Sequence, residues 1–139
     1  MTASSGKNVR GALLDVDGTL LDSNAAHASA YHQALEEEGM RIALTRIRPL
    51  IGMGGEKLLP ALGVEASSRV GERVTRRKKE IFERRFLPHL RPFPAARDLL
   101  DRMKSHRLAL IVATSAADDE LRGLLRQADV DDLVDGQSS

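Results

Sequence analysis

Two short apolar runs, residues 9–16 and 108–113, lie far apart in this chain, and only helical patterns fill the space between them. The first carries Ala12, Leu13, Leu14 and Val16 and stops at Asp17-Gly18, while the second reads Leu-Ala-Leu-Ile-Val-Ala. Both are too short for an ordinary helix and are bounded by polar or turn residues, which is the pattern of buried strands. Residues 132–135, with Leu133 and Val134, form a weaker third run. Between the second and third runs, residues 117–127 place Leu121, Leu124 and Leu125 at helical spacing. Ahead of the second, residues 95–104 put Leu99, Leu100 and Met103 on one face. Helix, strand, helix, strand in succession predicts an α/β fold with a parallel sheet and crossover helices.

Residues 23–91 read differently. One helical pattern spans 25–38 and stops at Gly39, a left-handed C-terminal position. A second spans 68–87 and stops before Pro88. Between them, Pro49, Gly52, Gly54, Gly55, Pro60 and Gly63 punctuate shorter helices. The expected organisation is a discontinuous core of residues 9–22 and 92–139, with residues 23–91 inserted as a helical unit. The chain's 139 residues suit one core with a small inserted module. The absence of cysteine excludes disulfide frameworks, thiolate metal sites and cysteine nucleophiles. With 21 Lys plus Arg against 20 Asp plus Glu, the net charge of +1 argues against a nucleic-acid-coating protein. No apolar run approaches the ~20 residues of a membrane span. Residues 1–8 are polar, with no signal-type apolar segment. A soluble, cytoplasmic protein is expected.

The stretch Asp15-Val-Asp17-Gly18-Thr19-Leu-Leu-Asp22 carries the chemistry. Two carboxylates two residues apart at a strand end project to the same side. They stand where open parallel sheets bind ligands, at the carboxyl ends of the strands. Gly18 permits a tight turn, and Thr19 offers a hydroxyl and a backbone N–H. A carboxylate is ionised at neutral pH and attacks phosphorus without a base to activate it. A second carboxyl group can protonate the leaving alkoxide and then deprotonate the water that clears the intermediate. Both carboxylates repel a phosphate dianion, and a hard divalent cation with oxygen ligands, magnesium, removes that repulsion.

These residues resemble the first motif of the haloacid dehalogenase-like hydrolases, in the form common among their phosphatases. The resemblance implies that Asp15 is the nucleophile that forms an aspartyl-phosphate and that Asp17 is the general acid/base. It also implies that magnesium is held by the Asp15 carboxylate and the Asp17 carbonyl. The dehalogenases lack an acid at the second position, so Asp17 points to phosphoryl chemistry. Residues 108–115, ending Ala-Thr114-Ser115, are similar to the second motif, in which a strand-end hydroxyl holds a phosphoryl oxygen. Gly18, Thr19, Thr114 and Ser115 are thus the candidate phosphate-binding residues. The helix that follows would add N–H donors and a favourable dipole. The 23–91 insertion falls where relatives of the phosphoglycolate phosphatase and β-phosphoglucomutase type carry a helical cap. The family's third-motif Lys and fourth-motif acids have no counterpart, because no strand that could carry them follows 136–139. The expected architecture is an incomplete Rossmann-like, three-layer core with an α-helical cap.

The implied activity is magnesium-dependent hydrolysis of a small phosphorylated metabolite. A phosphomutase of the same family, or a catalytically incomplete phosphate- or partner-binding fragment, is the alternative. With the strand that carries the fourth motif missing, residues 13–16 present an unpaired apolar edge, which predicts self-association.

The remaining features have plainer readings. Asp22 either supports the motif or caps the helix that begins near Ser23. Ser115, three residues before Asp118, also fits a capping box. Residues 51–57 form a Gly-rich turn or a cap loop that brings Arg48 or Lys57 to the substrate. Arg69, Arg73, Arg76, Arg77, Lys78, Lys79, Arg84 and Arg85 interleave with Glu72, Glu80 and Glu83. That reads as a solvated helix face with local ion pairs rather than a nucleic-acid surface. His27, His32, His89 and His106 lack ligand spacing and read as structural or exposed.

Overall fold

The computed structural model describes residues 8–138, so all but residue 8 of the polar N-terminal stretch lies outside the described residues. Strands β1 (Gly11–Leu14), β2 (Ala109–Ala113) and β3 (Gly136–Ser138) form one parallel sheet in the order β1-β2-β3. Gly11 lies opposite Ala109 and Leu14 opposite Val112, while Ile111 pairs with Gly136 and Ala113 with Ser138. Two expected strand positions are corrected. The first strand ends at Leu14, not Val16. Val16 is fully buried, and its carbonyl accepts the N–H groups of Thr19, Leu20 and Leu21 at 3.2, 2.9 and 3.1 Å, so it anchors a turn. The third strand is Gly136–Ser138 rather than 132–135. Leu133 N–H closes a turn on Val130 O at 3.0 Å. Leu133 and Val134 are half-buried and pack against the core instead of entering the ladder. The chain reaches the sheet at Asp135, whose carboxylate accepts Leu110 N–H at 2.7 Å and Lys104 Nζ at 2.6 Å.

Between β1 and β2 run α1 (Asn24–Glu37), α2 (Leu44–Ile47), a 3₁₀ turn (Arg48–Leu50), α3 (Gly55–Ala61) and α4 (Arg69–Ile81). Helix α4 continues as a π-helical turn (Phe82–Phe86) and a 3₁₀ turn (Leu87–His89), after which α5 (Ala96–Ser105) leads into β2. Helix α6 (Asp118–Gln127) then joins β2 to β3. Helix α4 starts where Ser68 Oγ accepts Gly71 N–H at 3.0 Å, which satisfies one of the orphan donors of its first turn. Asp22 does not cap α1: Ser23 holds the N-cap position, and Asp22 is exposed.

Helices α1 and α4 pack side by side, with Ala28, Ala30, Ala34, Leu35, Val74, Ile81 and Phe82 all buried. The small side chains of α1 let the two backbones come close. Around the sheet, Leu100, Leu110, Val112, Leu121 and Leu124 are fully or almost fully buried. Leu99, expected on the buried face of α5, is 50% exposed, because the core is met by Ala96, Leu100 and Met103.

The outgoing and returning chains at either end of the helical segment run antiparallel. Leu21 bridges to Pro92, Asp22 N–H donates to Arg91 O at 3.1 Å, and Phe93 N–H donates to Leu20 O at 3.0 Å.

The basic helix face is also corrected. Local pairs exist, Arg77 with Glu80 at 3.0 Å and Lys79 with Glu83 at 3.8 Å, but most partners are remote in sequence. Arg73 and Arg77 grip Glu38 and Glu37 at the end of α1, at 2.7 and 2.6 Å. Lys78 and Lys79 reach across to Glu120 and Asp119 on α6. Among the described residues, no helix is long and apolar enough to cross a membrane.

Candidate active site

The two motif carboxylates leave the carboxyl end of β1 together but enter different surroundings. Asp15 is exposed, and its Oδ2 accepts the Thr19 hydroxyl at 2.9 Å. Asp17 is half-buried, and its Oδ1 receives Ser23 Oγ at 2.5 Å and lies 2.8 Å from His27 Nε2. Gly18 makes the turn between them possible. Its φ is +74°, and a Cβ there would lie 2.3 Å from Asn24 Nδ2, so a larger residue would meet both backbone strain and a clash.

His27 is the functional neighbour that the sequence reading missed. It is buried, four residues beyond Ser23 on the first turns of α1, and its ring stacks on Phe82 at 4.0 Å with a 7° interplanar angle. The i,i+4 placement of Ser23 and His27 directly after the motif was the available signal, since such residues share one helix face. Burial pushes the Asp17 carboxyl upward. The His27 hydrogen bond and charge, the Ser23 hydroxyl and the Lys78 ammonium outweigh that push, and together they hold Asp17 below the ordinary aspartate range.

Above Asp17 lies a cavity of about 740 Å³. Its lining includes Asp17, His27, Tyr31, Lys78, Ser115 and Glu120, so residues far apart in sequence converge there. Asp15, Gly18 and Thr19 of the motif do not line the cavity, and neither does Thr114. The Tyr31 hydroxyl is kept neutral: burial and the Glu120 charge push its pKa up to about 12. Gly55 makes room for that hydroxyl, since a Cβ at Gly55 would stand 2.9 Å from it.

Thr114 follows β2, and its hydroxyl accepts Ala116 N–H at 3.0 Å, which shapes the loop into α6. The capping box expected for Ser115 is not formed. Ala117 is the N-cap of α6 and has no side-chain cap, which leaves Ser115 exposed on the cavity wall. Of the Gly-rich segment, Gly52, Gly54, Gly55 and Glu56 line the cavity, whereas Arg48 and Lys57 do not.

Among the described residues, no group of three or more His, Cys, Asp or Glu forms a metal cage. The Asp15 carboxylate, exposed with Thr19 on one oxygen, and the Asp17 backbone carbonyl are an oxygen-only donor set. That set fits a magnesium ion, which keeps several of its waters and needs only one or two carboxylates from the protein.

Three comparisons bear on the site. The family model for haloacid dehalogenase-like hydrolase matches residues 12–136. A phosphoglycolate phosphatase of Nitrosospira multiformis is 29% identical over 133 residues, 91% of this chain and 59% of that protein. A phosphorylated carbohydrates phosphatase of Thermotoga maritima is 29% identical over 128 residues, 88% of this chain and 57% of that protein. The crystal structure of a hydrolase from Pseudomonas syringae is similar with a TM-score of 0.82 at 27% identity, over 91% of this chain and 60% of that one. The chain thus spans less than two thirds of the length of the relatives it matches.

Proposed function

The chain belongs to the haloacid dehalogenase-like hydrolases, and from that premise we propose that it serves hydrolysis of a small phosphate monoester through an aspartyl-phosphate on Asp15. The observation that carries this reading is the unequal setting of the two carboxylates. Asp15 is exposed and, among the described residues, is oriented by Thr19 alone, as a nucleophile requires, while Asp17 is fixed by Ser23 and His27 beneath the cavity.

In this mechanism an Asp15 oxygen bonds to phosphorus as the ester P–O bond breaks. Asp17 takes up a proton from solvent before the ester bond breaks and gives it to the leaving alkoxide. Asp17 then takes a proton from the water that attacks the aspartyl-phosphate and releases phosphate. Gly18, Thr19, Thr114 and Ser115 hold the phosphoryl oxygens through N–H groups and hydroxyls. Bound magnesium, held by the Asp15 carboxylate and the Asp17 carbonyl, supplies charge neutralisation at the phosphoryl group.

Residues 23–91 act as a cap over a core of residues 9–22 and 92–139, and the cavity between them takes the rest of the ester. The substrate is a small cytoplasmic phosphorylated metabolite. The open edge of β1 pairs with a second copy of the chain.

The test is release of phosphate from a generic aryl phosphate, with and without magnesium, by this chain and by Asp15→Asn. Magnesium-dependent turnover that disappears in Asp15→Asn is the expected result. Turnover that persists undiminished in Asp15→Asn, or that ignores magnesium, would overturn the assignment.

A further inference from the structure

Tyr31 is a buried polar side chain that the mechanism leaves unused. It is only 7% exposed and lines the cavity. Burial and the Glu120 charge act on its hydroxyl, and no hydrogen-bonding partner acts beside them. Among the described residues, no side-chain N or O atom sealed from solvent lacks a partner, so this hydroxyl opens into the cavity. With a pKa of about 12 it keeps its proton at neutral pH and stands as a donor. Gly55, the first residue of α3, leaves the gap that the hydroxyl occupies, since a Cβ there would stand 2.9 Å from it. Tyr31 also lies one turn beyond His27 on α1, about 6 Å further along the helix. His27 holds Asp17, so the tyrosine stands past the reacting carboxylates, where the alcohol portion of an ester extends.

On the phosphate-ester reading of Asp15 and Asp17, we propose that the Tyr31 hydroxyl is a specificity-determining contact that donates a hydrogen bond to a neutral hydroxyl on the alcohol portion of the substrate.

Size and charge select that kind of group. A cavity of about 740 Å³ is far larger than a two-carbon ester fills, so the alcohol portion has length enough to reach a side wall. The cations nearest Tyr31 are already engaged. Lys78 Nζ stands 5.3 Å from the Tyr31 ring centroid and 3.3 Å from Glu120 Oε1, and Lys79 is held by Asp119. Apart from Asp17, the remaining charges of the lining are Glu56 and Glu72 against Arg76. A second anionic group on the substrate therefore meets net negative charge, whereas a neutral hydroxyl meets a waiting donor.

The chain has one tyrosine and no tryptophan, so its tyrosine fluorescence reports Tyr31 alone. Three six-carbon open-chain esters serve as probes: sorbitol 6-phosphate, 6-phosphogluconate and hexyl phosphate. Titrations run with magnesium in Asp15→Asn, which keeps the esters intact, and calorimetry gives the affinities. Sorbitol 6-phosphate is expected to bind and to change the tyrosine emission, and 6-phosphogluconate should bind about tenfold more weakly. Adding Tyr31→Phe should weaken sorbitol 6-phosphate about five- to tenfold and leave hexyl phosphate, which has no hydroxyl, unchanged. That selective loss separates a substrate contact from a packing role, which would weaken both esters alike. Equal loss for both esters, no loss for either, or 6-phosphogluconate bound as tightly as sorbitol 6-phosphate would each overturn the assignment to Tyr31. So would the absence of sorbitol 6-phosphate binding, even where the parent chain releases phosphate from an aryl ester, a result that leaves the phosphatase reading intact. Selective binding through Tyr31 without aryl phosphate turnover would do the reverse.

Discussion

Asp17 sits between opposed influences, and its neighbours decide the outcome. Burial disfavours its charged form, while His27, Ser23 and Lys78 favour it, so folding lowers its pKa from the ordinary 3.8. The sign follows directly. Stability gained from Asp17 is full above the unfolded aspartate value and is lost as pH falls through the lower folded value. His27 supplies the first two of the lowering influences, and removing it leaves burial less opposed. In His27→Ala, the Asp17 carboxyl carbon should therefore titrate at higher pH by NMR than in the parent chain. A midpoint that does not move would mean that His27 only packs on Phe82 and does not govern the carboxyl group.

At the level of elements, α4 does more than its amphipathic pattern suggests. One face gives Val74 and Ile81 to the core, and Arg77 and Lys78 toward its C-terminal end carry cations to α1 and α6. The π-helical turn that follows places Phe82 at full burial under His27. A π turn shifts the register of the residues after it, and such turns recur beside functional sites. Phe82→Ala should cost about 3–5 kcal/mol, because it leaves a cavity between α1 and α4 and removes the surface on which His27 stacks. Urea unfolding monitored by circular dichroism measures this, and a loss below about 1 kcal/mol would show that the helix pair collapses onto the gap.

Across the whole molecule, the sheet is asymmetric. Among the described residues, strand β2 is paired on both sides, whereas β1 has one edge without a partner strand, with Leu13 at 73% exposure. Unpaired N–H and C=O groups beside exposed apolar side chains form a template for another strand. Sedimentation velocity of the parent chain should give a coefficient that rises with concentration. Leu13→Lys should hold it constant, since a charge on an edge strand opposes pairing. Its cost to stability should stay within about 0.5 kcal/mol, as for other exposed positions. A parent chain that sediments as a monomer at every concentration would refute the edge pairing.

Much of this architecture is legible in the sequence because it depends on neighbours along the chain. The apolar runs of β1 and β2, the spacing of Leu121, Leu124 and Leu125, and the Asp15-Val-Asp17-Gly18-Thr19 turn are local patterns with local causes. What tertiary structure alone decided depends on which segments meet. Leu133 and Val134 carry a strand-like pattern, yet Asp135 binding to Leu110 and Lys104 sets where the chain joins the sheet. Lys78 and Lys79 look like solvent charges until α6 brings Asp119 and Glu120 to them. His27, whose place four residues after Ser23 is a local hint, gains its role in the fold, where its ring stacks on Phe82 and its Nε2 lies 2.8 Å from Asp17. Periodicity records which way a side chain faces within its own element, but the partner on that face is chosen by packing, and packing is a property of the folded chain.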